Sequence, residues 1–173
     1  MLEESSLLLS VNAGSSSLKI SLFRKVKVAG RQNEPIDLLL TSSISSISSP
    51  PAKFSFENVS SVTKANQEQE VFSITDHATA FSHFLDVLKE QASIDRNEII
   101  YVCHRVVHGG DYTDPVIIDK ESYHHIETLS ALAPLYFFLY LAMKKTTDQL
   151  QGTTGLRYLS SRPVPKNFLV QNP

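Results

Sequence analysis

The stretch that decides the fold is LLLSVNAGSSSLKISLF, residues 7–23. It begins with a short apolar run, Leu7–Val11, which is typical of a buried strand, and an Asn-Ala-Gly sequence then indicates a turn. From Leu18 to Phe23 every second residue is leucine or isoleucine, which is the period of a β-strand. Two such strands joined by Gly-Ser-Ser predict a β-hairpin, with Gly14 where the backbone bends sharply.

Further strands and helices are predicted along the rest of the chain. The clearest helix is Asp76–Gln91, since Asp76 is a good N-cap and apolar residues follow at helical spacing, namely Phe81, Phe84, Leu85 and Leu88. Candidate strands lie at Lys53–Val62, Ile99–Val107 and Val116–Ile118, and a second helix at about residues 120–132. This order predicts an α/β fold, and the antiparallel opening hairpin argues against a doubly wound dinucleotide fold.

Thr41–Pro51 is low in sequence complexity, with six serines and two prolines in eleven residues. Such composition is typical of loops, so we predict a mobile surface loop here. The segment lies inside the predicted α/β domain.

The composition is that of an ordinary globular chain of 173 residues, 42% of them hydrophobic, with a formal net charge of −2. The last thirty residues carry five basic side chains and one acidic side chain, so the remainder of the chain is acidic, with a net charge of −6. An acidic body gives no reason to expect a nucleic acid as partner.

The predicted compartment is the cytoplasm. Cys103 is the single cysteine, which excludes an internal disulfide and fits a reducing compartment. Acidic residues follow the first two positions, where a targeting peptide would carry basic ones. The longest apolar run, Ala131–Met143, has thirteen residues, whereas a membrane span needs about 20, so no membrane association is expected.

Asn12–Lys19 is the first segment that could carry chemistry. The turn offers backbone N–H groups and three serine hydroxyls, and Lys19 adds one cation, which is the donor set that phosphate oxygens need. The Asn12 amide oxygen could reach Mg²⁺ directly or through water. The segment is not a Walker A loop, because no Gly-Lys-Ser/Thr is present and a strand follows. An ordinary polar hairpin turn is the alternative, and spacing alone leaves both open.

His104–Gly110 is the second such segment. Arg105, late in an apolar strand, could grip a carboxylate with two parallel hydrogen bonds, and Val107 on the same strand face could form an apolar wall beside it. The alternative is a structural, buried Arg–Asp pair followed by a glycine turn. Cys103, with no evident base nearby, is interpreted as a core thiol. Leu132–Leu135, which reads Leu-Ala-Pro-Leu, indicates by itself only a helix end before an apolar segment.

Together and in this order, three segments resemble the acetate kinase family: LSVNAGSSSLK at residues 9–19, CHRVVHGG at 103–110 and LAPL at 132–135. The serine-rich stretch and the longer hairpin region suggest a eukaryotic member, for example a fungal one. The resemblance implies a ribonuclease-H-like fold of the actin, Hsp70 and sugar-kinase type, with two halves flanking a cleft. It also implies reversible transfer of the γ-phosphoryl group of ATP to acetate or another short-chain carboxylate, with Mg²⁺, giving acetyl phosphate and ADP.

The resemblance implies roles for individual residues. Asn12 would help to hold the metal, and Ser15, Ser17 and Lys19 would bind the ATP phosphates. Arg105 would bind the acetate carboxylate or the transferring phosphoryl group. The pocket for the acetate methyl group would be lined by Val107 and Leu135.

The resemblance covers roughly Leu7–Leu135. Tyr136-Phe137 stands where the family continues with His-Asn, and the later Phe-Asp-Thr-x-Phe-His signature with its catalytic acid is missing. We therefore expect an incomplete N-terminal kinase-type domain over residues 1–135 and an unmatched tail over residues 136–173. Such a chain should be weak or inactive alone and could form a homodimer only if completed. The alternatives are a non-catalytic binding or regulatory fragment and an artefact of gene prediction.

Overall fold

The computed structural model describes residues 5–26, 36–59, 68–105, 116–117, 121–122, 124–125 and 157–160. These residues form one mixed sheet of eight strands with the order β5-β4-β3-β2-β1-β6-β8-β7. The strands are β1 Ser5–Ala13, β2 Ser17–Val26, β3 Ile36–Ser45, β4 Ala52–Asn58, β5 Gln69–Val71, β6 Ile99–Arg105, β7 Val116–Ile117 and β8 Arg157–Ser160. Helix α1 spans His77–Ala92, and a 3₁₀ turn spans Arg96–Glu98.

Strand β1 lies at the centre of this sheet. It pairs antiparallel with β2, which confirms the predicted hairpin, and parallel with β6 on its other side. Because a parallel pair needs a crossover connection, the chain runs through β2–β5 and α1 before it returns as β6. The predicted α/β class is confirmed.

The core lies between α1 and one face of the sheet. Leu9 lies opposite Leu22, and Val11 opposite Ile20, so alternate residues of the hairpin share the inner face. All four side chains are at most 1% exposed. The two phenylalanines of α1, Phe81 and Phe84, are buried in the same cluster. Full burial of such a side chain contributes about 1.5–3 kcal/mol.

Helix α1 begins where the sequence predicted. The Asp76 carboxylate accepts a hydrogen bond from the Thr79 backbone N–H (2.8 Å), and the Thr79 hydroxyl accepts one from the Asp76 backbone N–H (3.1 Å). This capping box satisfies two N–H groups that have no partner within the helix. At the other end, Ser93 adopts the left-handed conformation with φ of 56°, which stops the helix.

The expectation of a mobile loop over Thr41–Pro51 is wrong for its first half. Residues 41–45 belong to β3, and the Ser42 hydroxyl donates to the Ser55 carbonyl of β4 at 2.9 Å. The two isoleucines of the segment, Ile44 and Ile47, are buried in the core. Serine is small enough to pack within a sheet, and its hydroxyl can donate to a carbonyl of the adjacent strand. A serine-rich segment of low sequence complexity can therefore form a strand, as this one does over residues 41–45.

The other predicted elements are placed in part. The strand expected at Lys53–Val62 is β4, and the one at Ile99–Val107 is β6 up to Arg105. Four of the residues expected in the second helix are helical, namely Glu121, Ser122, His124 and His125, and the rest of it lies outside the described residues. Strands β3, β5 and β8 were not predicted. Within the described ranges, no helix is long and apolar enough to cross a bilayer.

The buried position of Ile47 gives a stability prediction. Ile47→Ala should lower the free energy of unfolding by about 2–5 kcal/mol, because it leaves a cavity in a packed core. Ser48→Ala is the matched control, since Ser48 is exposed and uses only its backbone N–H; it should change stability by less than about 0.5 kcal/mol. Urea unfolding followed by circular dichroism measures both. Equal stability of the two variants would contradict the packing described here.

Burial raises the pKa of the Cys103 thiol to about 12, so the thiol stays protonated at neutral pH, as expected for a core thiol. The thiolate is the reactive form, and its population at pH 8 should be about a thousandfold lower than for an exposed cysteine. We expect a thiol-specific disulfide reagent to label Cys103 within minutes in guanidinium and only very slowly in the folded protein. Rapid labelling of the folded chain would show that the site is accessible.

Candidate functional site

The turn between β1 and β2 is closed by its own backbone. The Gly14 N–H donates to the Ser17 carbonyl at 2.8 Å. A Cβ added at Gly14 would lie 2.7 Å from the Ser17 hydroxyl oxygen, so glycine is the residue that fits here without displacing Ser17. Ser15, at the tip of the turn, is exposed to solvent.

Strand register places three of the predicted site residues side by side. Asn12 of β1 lies opposite Lys19 of β2 and, on its other side, opposite Arg105 of β6. Adjacent strands are about 4.8 Å apart, and residues in register point to the same face. An amide is therefore flanked by two cationic side chains on one face of the sheet, next to the Gly14 turn.

This face is the one that α1 does not cover. Val11, the neighbour of Asn12 along β1, is buried in the core that α1 covers, so Asn12 points to the opposite face. Lys19 and Arg105 are exposed there, and Asn12 is half-buried between them. The arrangement leaves both cationic groups accessible to a ligand.

A groove of about 490 Å³ runs from Lys19 across the same face, past Ser43 and Ser55, to two glutamates. Lys19 and Ser43 are neighbours in the β2–β3 register, and Ser43 and Ser55 in the β3–β4 register. The glutamates, Glu57 and Glu68, also line the groove, and the Glu68 carboxylate lies 3.8 Å from the Lys53 ammonium nitrogen. The Glu57 carboxylate would repel an anion on that side. Arg105 does not line this groove, so Lys19 marks the electrostatically favoured end of the groove for an anionic ligand, and Arg105 lies beyond it in the Lys19–Asn12–Arg105 row.

One interpretation of the sequence expected Arg105 to be buried in an ion pair with an aspartate, and the structure differs from it. Arg105 is exposed at the carboxyl end of β6, and no described residue forms an ion pair with it. The burial that this interpretation expected is not observed, its glycine turn lies outside the described residues, and the anion-receptor interpretation stays a prediction. Val107 and Leu135, the predicted walls of a methyl pocket, lie outside the described residues.

The donor set around Asn12 fits a magnesium ion only in part. The amide oxygen is a hard donor of the kind that Mg²⁺ accepts. Among the described residues there is no cluster of three or more His, Cys, Asp or Glu side chains that could hold a metal ion. Lys19 and Arg105 on either side would repel a bare cation. Asn12 can thus serve as one ligand of a magnesium ion that arrives with anionic phosphate oxygens.

Contacts that hold the turn from outside were not predicted from the sequence. The His77 Nε2 atom lies 2.7 Å from the Gly14 carbonyl oxygen. On the other side, the Ile47 N–H donates to the Ser16 carbonyl and the Ser48 N–H to the Ser16 hydroxyl, each at 3.1 Å. A histidine directly after a helix cap was the one available signal, but its partner is 63 residues away in sequence.

Comparison with known proteins identifies related sequences. A model of the acetokinase family matches residues 7–148. A probable acetate kinase of Emericella nidulans is 38% identical over 154 residues, which cover 85% of this chain and 34% of the relative. An acetate kinase of Anoxybacillus flavithermus is 39% identical over 132 residues, which cover 74% of this chain and 30% of the relative. The chain thus spans about a third of the length of these curated relatives.

Solved structures share the fold. A propionate kinase from Francisella tularensis has a TM-score of 0.69 at 22% identity, covering 90% of this chain and 36% of that one. An acetate kinase from Porphyromonas gingivalis has a TM-score of 0.66 at 24% identity, covering 90% and 37%. These similarities confirm the ribonuclease-H-like fold that was predicted. With a family model matched over most of its length, the chain belongs to the acetokinase family.

Proposed function

We propose that this chain carries the phosphate- and carboxylate-binding part of an enzyme that transfers the γ-phosphoryl group of ATP to acetate. The products are acetyl phosphate and ADP, and the reaction is reversible. The observation that carries the proposal is the row formed by Lys19, Asn12 and Arg105, which sets two exposed cations beside the Gly14 turn. Membership of the acetokinase family supports it.

The chemistry requires two anions to meet. An acetate oxygen forms a bond to the γ-phosphorus while the bond from that phosphorus to the bridging oxygen of ADP breaks. Positioning and charge neutralisation supply most of the catalysis in such transfers. Cations on both sides of one amide oppose the repulsion between the carboxylate and the phosphoryl group.

The roles of single residues are proposals, supported by their positions and by the family resemblance. We assign the ATP phosphates to Lys19 and to the turn residues Ser15 and Ser17. Arg105 would bind the carboxylate or the transferring phosphoryl group, because a guanidinium donates two parallel hydrogen bonds to either. Asn12 would bind Mg²⁺, which when present neutralises and orients phosphate oxygens. Val107 and Leu135 stay proposals as walls of the methyl pocket.

The compartment, the partners, the oligomeric state and the domain division are proposals as well. We propose a cytoplasmic protein whose partners are ATP or ADP and a short-chain carboxylate, and not nucleic acid or membrane. Homodimerisation of a completed enzyme also stays a proposal. So does the division of the chain after Leu135 into a kinase-type domain and a tail.

Arg105→Ala should weaken binding of acetyl phosphate by about tenfold or more, because the lost contact is charge-assisted. The change should alter the free energy of unfolding by less than about 0.5 kcal/mol, since the side chain is exposed. Titration of ¹⁵N-labelled protein, followed at the amides of residues 12–19, measures affinity, and urea unfolding measures stability.

Arg96→Ala is the matched control for Arg105→Ala, because Arg96 is also exposed but lies in the 3₁₀ turn before β6. It should leave acetyl phosphate binding unchanged. If the two variants lose affinity equally, binding is not localised at Arg105. If Arg105→Ala loses stability in proportion to affinity, its role is structural.

Turnover by the 173-residue polypeptide alone should be slow or undetectable. Its curated relatives are about three times as long as the matched stretch, and misplacing reactants by about 1 Å already costs about a hundredfold in rate. Acetyl phosphate formed from ATP and acetate, propionate or butyrate can be trapped with hydroxylamine and quantified. Turnover by this polypeptide at a rate ordinary for a kinase, about 1–100 per second, would contradict the expectation that it is nearly inactive alone.

A further inference from the structure

The turn that would bind phosphate is held from two sides. The segment after β3 holds one side through the Ile47 and Ser48 backbone N–H groups, both bonded to Ser16. The other side is held from the start of α1, where the His77 ring contacts the Gly14 carbonyl. A turn anchored at both Gly14 and Ser16 has little freedom left at Ser15, which lies between them.

His77 is well fixed for this contact. It is the first residue of α1, between the Asp76 and Thr79 that form the capping box, and is only 7% exposed. A carbonyl oxygen can only accept a hydrogen bond, so His77 Nε2 carries the hydrogen and donates it to Gly14 over 2.7 Å.

Because Gly14 and Ser15 share a peptide unit, the orientation of the Gly14 carbonyl also fixes the orientation of the Ser15 N–H. In a trans peptide the C=O of one residue and the N–H of the next lie in one plane and point in opposite directions. The Gly14 carbonyl points towards His77 at the start of α1, so the Ser15 N–H points away from it. Within the described part of the chain, no acceptor is bonded to that N–H.

We propose that His77 is a positioning residue for the phosphate site. By holding the Gly14 carbonyl, it aims the Ser15 N–H away from α1, where it donates to a phosphate oxygen of the nucleotide. This inference rests on the proposed function, because it assumes that the turn binds phosphate. His77 itself touches no substrate in this arrangement.

Two substitutions separate the hydrogen bond from the bulk of the ring. In His77→Gln the side-chain amide reaches about as far as Nε2 and keeps a donor there, whereas in His77→Asn the amide is too short. The order parameter of the Ser15 amide, from ¹⁵N relaxation of the full chain, should stay near about 0.85 in the wild type and His77→Gln. It should fall below about 0.6 in His77→Asn.

The second measurement is affinity for Mg·ATP, titrated on the same labelled proteins. His77→Asn should bind about fivefold more weakly and His77→Gln within about twofold of the wild type, since one such hydrogen bond is worth about 1 kcal/mol, which is about fivefold in affinity. Should His77→Asn fail to fold in a thermal melt, His77→Met, which fills the space without a donor, takes its place.

The outcomes distinguish the two proposals. Unchanged Ser15 order and unchanged affinity in His77→Asn overturn the positioning role while leaving the proposed function intact. Equal loss in His77→Gln and His77→Asn also overturns it, because the donor then does not matter. If the wild type does not bind Mg·ATP, the proposed function fails. Loss of Ser15 order in His77→Asn alone then still supports the anchoring of the turn.

Discussion

The pairing of β1 with β2 on one side and β6 on the other is the constraint on which the rest of the structure depends. Burial of Leu9 and Val11 against α1 fixes this register, because a slip by one residue would turn both side chains out of the core and Asn12 into it. The same register sets Lys19 and Arg105 on either side of Asn12. Hydrophobic burial on one face thus positions the charged groups on the other.

The core and the candidate site are also joined through the turn itself. Ile47 is buried, and its backbone N–H bonds to Ser16; His77 is buried, and its ring bonds to Gly14. Each contact ends on a backbone atom of the turn, and the serine side chains at 15 and 17 remain available to a ligand. Phosphoryl transfer depends on positioning, so a turn fixed by the core is suited to it.

Several features could be predicted because their causes are local. The structure contains the predicted hairpin and the predicted helix with its Asp76 cap. Their signals, which are strand alternation, the cap residue and the helical spacing of Phe81 and Phe84, each act over only a few residues. The loop prediction for the serine-rich segment was wrong in part because serine occurs both in loops and in strands, so composition alone does not distinguish the two. Whether Ile44 and Ile47 are buried depends on packing against α1, which begins thirty or more residues later in the sequence.

The sequence by itself determined the α/β class, the opening hairpin, the capped helix and the residue types of an anion site, since these follow from periodicity and side-chain chemistry. Only the tertiary structure decided that Asn12, Lys19 and Arg105 share one row, that Arg105 is exposed, and that His77 holds Gly14. The His77–Gly14 contact joins residues 63 positions apart, and Arg105 lies farther still from Asn12 in sequence. The exposure of Arg105 depends on what covers each face of the sheet. Such relations arise from packing, which a local pattern does not encode.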